Sequence, residues 1–314
     1  MNNLKKIGLT ALGTTLIASS AFAADMSVTG AASISFDQTS DKVGGSSIYM
    51  GDSINFTASG EMDSGVTVAV AYEIDGGALD DHSITFGMVN GGTLRFGGSG
   101  DGTSLSSMDD VMPNAYEESW DIVAGTPTVI NGESGKNSFK YTSADLGGAV
   151  VTVAFVNALN YLDFGVTANP EMLEGLTLGY ARGETNGGRT NVASATHDTG
   201  AKLDTTEQTM YAKYAIGSVT LGIQRSDLDA STAGASLEST SMGITYAVSS
   251  NLSVGYHTSE LDKATNANEQ KSKGISASYT SGSMTLGGAK NTVENVANAA
   301  TDISGYEFTL SFAF

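Results

Sequence analysis

From residue 25 onward the chain alternates apolar and polar residues in short runs. Val66, Val68, Val70 and Tyr72 are apolar, whereas Thr67, Ala69, Ala71 and Glu73 are small or polar. Leu176, Leu178 and Tyr180 alternate with Thr177, Gly179 and Ala181, and Val219, Leu221 and Ile223 alternate with Thr220, Gly222 and Gln224. A period of two over about ten residues belongs to a β-strand with one apolar face. No helical stripe of comparable length follows residue 24. Sixteen such segments can be drawn, at roughly 25–36, 47–59, 65–74, 82–89, 92–97, 137–143, 148–156, 161–168, 175–183, 205–215, 217–226, 238–248, 251–259, 273–280, 283–291 and 304–314.

Nearly every segment has an apolar face, more than a two-sheet sandwich core can bury. The opposite face is mostly Ser, Thr and Gly, as suits the wall of a water-filled pore. Tight turns such as Asn90-Gly91 and Ser249-Ser250 alternate with longer connections such as Asp37–Ser46, Asp75–Asp81 and Glu184–Asp204. Short turns on one rim and long loops on the other are the plan of an outer-membrane barrel. The expected fold is therefore all-β, a 16-stranded antiparallel transmembrane β-barrel with both termini on the periplasmic, short-turn side. No apolar run after residue 24 approaches the roughly 20 residues of a spanning helix. The mean hydropathy of −0.05 agrees with walls that are apolar on one face only.

Residues 1–23 read as a secretory signal peptide. Lys5 and Lys6 form a positive start, Ile7 to Ala18 a short apolar core, and Ala21-Phe22-Ala23 a cleavage motif. Export to a bacterial outer membrane follows. Losing Lys5 and Lys6 with this segment would shift the net charge from −19 to −21. So acidic a chain has no basic face for nucleic acid. With no Cys, it has neither a disulfide framework nor a Cys-based metal site.

One connection stands apart. Residues 98–136 carry the only Trp, Trp120, and seven acids against the single base Lys136. Connections of this length are usually functional or disordered. Here the expectation is a segment folded into the barrel, with Tyr116 and Trp120 anchoring it against the wall. The chain ends in Tyr306, Phe308, Leu310, Phe312 and Phe314 on one face, with Thr309, Ser311 and Ala313 on the other. Terminal Phe314 is similar to the assembly signal of bacterial outer-membrane proteins.

With Phe314, the strand plan and the run Gly92-Thr93-Leu94-Arg95-Phe96-Gly97-Gly98 leading into the acidic loop, residues 24–314 resemble the general porins of alphaproteobacteria, the purple-bacterial type. The resemblance implies a homotrimer in the outer membrane, among lipid and lipopolysaccharide. It also implies an inward-folded third long loop that narrows a diffusion channel for small hydrophilic solutes and ions, with no enzymatic activity and no required cofactor.

Strand parity assigns the lumen. Arg95, Lys140 and Lys213 point in, as do Glu73, Asp163 and His257. The resemblance sets loop acids, here Asp109, Asp110, Glu117, Glu118 and Asp121, against these wall bases. Three bases are few for that family, and a ring of mostly carboxylates favours cations. Lys140 and Lys213 have an alternative as solvated rim charges. Arg182 and Arg225 fall on the lipid-facing parity, where they could meet lipopolysaccharide phosphates, unless a bulge turns them inward. Asp109-Asp110 and Glu117-Glu118 offer the oxygen ligands that Ca²⁺ takes, with simple solvation as the alternative. His82, His197 and His257 lie too far apart in sequence for a metal motif, and no metal site is assigned. Two other functions compete: an adhesin-like structural barrel with a closed lumen, and a secreted calcium-dependent β-solenoid. The absence of a short internal repeat counts against the solenoid.

Overall fold

The computed structural model describes residues 25–40, 46–99, 102–109, 111–122, 129–130, 132, 137–156, 160–191, 198–231, 234–265 and 268–314. The signal-peptide segment lies outside the described residues. The strands are β1 (Asp25–Thr39), β2 (Ser47–Glu61), β3 (Thr67–Asp75), β4 (Ala78–Gly87), β5 (Thr93–Ser99), β6 (Ser138–Thr142), β7 (Ala149–Val156) and β8 (Tyr161–Ala168). They continue as β9 (Leu176–Asn191), β10 (Asp198–Ile216), β11 (Val219–Ala230), β12 (Leu237–Ala247), β13 (Leu252–Lys263), β14 (Gln270–Ser281), β15 (Met284–Glu294) and β16 (Ile303–Ala313). Each pairs with its sequence neighbours, and β1 pairs with β16, closing an antiparallel barrel of sixteen strands.

Closure is what lets this sequence sit in lipid, because a closed ladder leaves no edge of unpaired backbone. The seam runs from Ala31 opposite Ala313 to Thr39 opposite Gly305. Beyond it the Phe314 N–H donates to Gly30 O at 2.9 Å, and the Gly30 N–H donates to Phe314 O at 2.7 Å. The Phe314 ring lies over Gly30, where a Cβ would come within 2.7 Å of it. The outward face is an apolar belt. Ile275 is 60% exposed and Phe308 52%, the kind of apolar surface that lipid or a partner chain covers.

The strands outrun the alternation on the long-loop side. β9 reaches Asn191 and β11 reaches Ala230, so much of the expected loop is ladder. Polar residues on both faces hide the period of two there, while the backbone goes on pairing. The expected long connection Asp75–Asp81 is instead a tight hairpin. Asp75 pairs with Ala78, and the turn is Gly76-Gly77 with φ of 53° and 80°. Two successive positive φ values are what a two-residue hairpin turn requires.

Arg182 and Arg225 face outward, as parity places them, and no register shift occurs at either. Arg182 pairs with Glu184 at 2.9 Å and Arg225 with Glu238 at 2.6 Å. Lys271 and Lys273 on β14 are held by Glu269 at 2.9 Å and Glu294 at 3.0 Å. These pairs form an ionic collar above the apolar belt. Such exposed pairs each contribute little to stability.

Deleting Phe314 removes two seam hydrogen bonds and the ring that covers Gly30. The expected outcome is a several-fold lower yield of folded barrel in the membrane fraction, read as the heat-modifiable band on electrophoresis. Phe314→Tyr, which keeps the ring and the backbone contacts, should retain the wild-type yield.

Candidate functional site: the loop in the lumen

The loop between β5 and β6 lies inside the barrel, against the wall made by β8 to β16. Its seat is cut by glycines at inward positions. A Cβ on Gly243 would come within 2.2 Å of Pro113 O, and one on Gly287 within 2.2 Å of the Tyr116 ring. Gly222 faces Pro113, and Gly255 faces Ala115, in the same way. Consecutive loop residues thus step across β11, β12, β13 and β15 at near-backbone contact. At these positions the small residues, expected to line open water, instead seat the loop.

Polar groups fix the loop at both ends of this track. Asp163 on β8 is 1% exposed and accepts from the Ser104 N–H at 3.2 Å, the Leu105 N–H at 2.8 Å and Tyr161 Oη at 3.0 Å. Glu207 on β10 accepts from the Gly132 N–H at 3.1 Å, and Gln224 Nε2 donates to Met108 O at 2.6 Å. His257 Nδ1 accepts from the Ser119 N–H at 3.1 Å. A backbone N–H can only donate, so Nδ1 carries no proton in this arrangement and His257 is the neutral Nε2–H tautomer. The expected lumen orientation of Asp163 and His257 is met, but the loop covers both.

Above the glycines the inward face turns apolar. Leu105, Met108, Met112 and Ile130 of the loop pack with Leu228, Leu237, Leu261 and Tyr211 of the wall. Burying each such side chain favours docking by roughly 1.5–3 kcal/mol. A short 3-10 helix, Ser106–Met108, presents Met108 to this core. Tyr116 donates to Glu307 Oε1 at 3.2 Å and lies 2.5 Å from Thr309 Oγ1. Trp120 lines a cavity of about 50 Å³ behind the loop. Tyr116 thus bonds to the wall on β16.

The charges are distributed differently from the expected opposition. Arg95 and Lys140 are directly opposite one another on β5 and β6. Arg95 lies 3.5 Å from Asp81, and Glu73 accepts from Asn55 Nδ2 at 3.2 Å. Lys213 points inward but belongs to the loop's own wall, with Nζ 5.5 Å from the Tyr211 ring centroid. It therefore does not join Arg95 and Lys140 in one basic patch. Asp109 and Glu118 line the cavity behind the loop, beside His257. Glu118 also accepts from Asn114 Nδ2. Asp110 lies outside the described residues. Among the described residues no three His, Asp or Glu side chains converge to hold a metal ion.

Glu117 meets another acid rather than a base. It approaches Glu307 on β16, whose Oε1 also accepts from Tyr49 Oη at 3.1 Å. Burial, then the charge of Glu307 and a hydrogen bond to it, and then the charge of Asp121, push the Glu117 carboxyl from 4.5 up to about 8. Burial likewise raises the Tyr116 hydroxyl, with the charges of Glu117 and Glu307 adding to it. Glu307 and Tyr49 were not singled out from the sequence. Glu307 alternates with Tyr306 and Phe308 on the terminal strand, so its inward parity was the available signal.

A family profile described as Gram-negative porin matches residues 8–280. The chain belongs to the Gram-negative porin family, the class of outer-membrane channel barrels. No match was found among curated proteins. OmpT of Vibrio cholerae, described as outer-membrane expressed, superposes with a TM-score of 0.66 at 15% identity, over 94% of this chain and 99% of the other. A triple mutant of the Rhodopseudomonas blastica porin superposes with a TM-score of 0.66 at 14% identity, over 92% of this chain and all of the other. At these identities the likeness speaks to the fold, which agrees with the resemblance drawn from the sequence.

Two expectations follow from this geometry. Asp163→Ala leaves the Ser104 and Leu105 N–H groups without their acceptor and weakens loop docking by on the order of 2–4 kcal/mol. Single-channel recordings should show a larger and noisier conductance. Glu117 is mostly neutral below pH 8 and gains a charge above it. Its raised value means that the neutral form favours the docked, folded state at low pH, and that this contribution fades as pH rises from 4.5 through about 8. The cation-to-anion permeability ratio should therefore rise between pH 7 and pH 9 in wild type, by about the effect of one added charge at the loop. Glu117→Gln should be flat over that range.

Proposed function

We propose that the barrel is a trimeric diffusion channel for small hydrophilic solutes and ions, with a preference for cations. The observation that carries the preference is the charge around the passage. Glu73, Asp81 and Glu307 face the lumen, with Glu117 adding a charge only above about pH 8, while Arg95 stands beside Asp81 and opposite Lys140. A lumen walled by low dielectric and lined by one sign of charge concentrates counter-ions. Passage takes the side of β1 to β6, because the loop occupies the side of β8 to β16. The apolar docking core gives the aperture a fixed shape.

Trimer formation is supported by the outer face of β2. Asp52 projects outward between Met50 and Ile54, where a charge facing lipid would be destabilising. The short β3–β4 hairpin ends at the level of Asp52, so the β2 edge from Ser47 to Gly51 has no β3 partner. A neighbouring copy would cover both.

Planar-bilayer recordings test the proposal. Channels should insert and close in groups of three equal steps. In a KCl gradient the reversal potential should have the cation-selective sign, and the selectivity should shrink at 1 M salt, where the Debye length falls to about 3 Å. An anion-selective reversal potential, or insertion in single steps only, would overturn the corresponding part.

A further inference from the structure

The outer wall of β13 to β16 is not uniformly convex. The smallest outward residues of two neighbouring strands, Ala277 and Gly288, are paired in register. Larger side chains surround them, chiefly Ile275, Tyr279, Leu286 and Phe308. The result is an apolar groove of about 890 Å³ running up the wall. Lys290 and Tyr306, opposite each other in register, close its upper end.

The same two residues also line a second pocket, of about 320 Å³, directly above. Gln38, Thr39, Ser40 and Ser304 supply its hydroxyl and amide groups. An apolar trough, an ammonium and a polar recess thus follow one another along the membrane normal.

Lys290 is also unlike the other outward bases. Among the described residues, Arg182, Arg225, Lys271 and Lys273 each pair with a glutamate or aspartate. No described carboxylate lies within ion-pair distance of Lys290. A lysine at the top of an apolar belt presents its ammonium at headgroup level. In a chain of net charge −19, such a point is a local exception that an anion can approach.

We propose that this is a site for a phosphate-bearing lipid of the surrounding leaflet, with one acyl chain in the groove over Ala277 and Gly288, its phosphate on Lys290, and its polar remainder near Gln38, Ser40 and Ser304. A zwitterionic lipid fits the trough equally but gains less from the ammonium. A second copy of this chain would have to bring a carboxylate to Lys290 and fill the polar recess. The proposal rests on the lipid-facing reading of this wall. It does not depend on the ion preference of the lumen, so the reversal potential tests that separately.

The test uses the full barrel, purified in detergent and stripped of lipid, then titrated with dioleoylphosphatidylglycerol, dioleoylphosphatidylcholine or inorganic phosphate and followed by native mass spectrometry. Wild type should retain one phosphatidylglycerol per chain, bound about fivefold more tightly than phosphatidylcholine, the scale of one lysine facing an anionic lipid. Lys290→Gln should erase that difference and leave phosphatidylcholine binding unchanged. Ala277→Phe, which fills the groove from an exposed outward position, should weaken both lipids. Inorganic phosphate alone should not be retained. Equal binding of the two lipids by wild type would overturn the proposal, as would Ala277→Phe breaking the oligomer without changing lipid retention. The latter result would make the groove a contact between copies.

Discussion

Backbone hydrogen bonding in a solvent without water is the constraint on which the rest of this structure depends. Each N–H and C=O in the lipid-embedded wall needs a protein partner, and a closed ladder supplies one from each neighbouring strand. The β1–β16 seam is where the ladder has to close, and it does so with nine paired positions plus the reciprocal bonds of Gly30 and Phe314. Once the ladder is closed, side chains are free to differ on the two faces. The outward face meets lipid with Ile, Leu, Tyr and Phe. The inward face can then hold a folded loop.

The loop turns a wide barrel into a shaped passage. A long segment in a water-filled lumen would lose chain entropy on ordering and gain little from isolated polar contacts. Two features of the wall change that balance. Glycines at inward positions let the loop backbone approach the strands closely, and Leu228, Leu237 and Leu261 supply apolar surface inside the lumen. Buried acceptors at Asp163, Glu207 and His257 then set where along the wall the loop docks.

Much of the fold was legible in the sequence because one physical period governs it. The alternation located all sixteen strands, the terminal aromatic strand and the inward parity of Arg95, Lys140, Asp163 and His257. It failed where polar residues occupy both faces, so β9, β10 and β11 run well beyond the segments drawn from sequence. Two adjacent glycines at 76 and 77, read as part of a loop, make a two-residue turn. The site was less legible for a different reason. Parity says that a side chain points inward, but not whether it meets water or another segment of chain. Asp163 and His257 point inward and are covered. Lys213 points inward but stands on the wall that carries the loop. Glu117, expected to oppose a base, meets Glu307. The glycine track was visible in part as Gly222 between Leu221 and Ile223, yet small residues suit a water-lined wall and a docking seat equally well.

The anchors and the electrostatics of the passage are not independent. Asp163 and Glu207 are buried under the loop, and their carboxyl oxygens hold its backbone N–H groups in place. At 0.1 M salt the Debye length is about 10 Å, and buried charges are screened less than exposed ones. On the proposed cation preference, these carboxylates would add to those that face the passage. Lys213, placed on the same wall, offsets them in part. Glu117 adds to the field only when it has lost its proton, and Glu307 beside it resists that loss. In the proposed cation-preferring pore the loop is thus held by acidic groups that would add to that preference, and the part carried by Glu117 depends on pH.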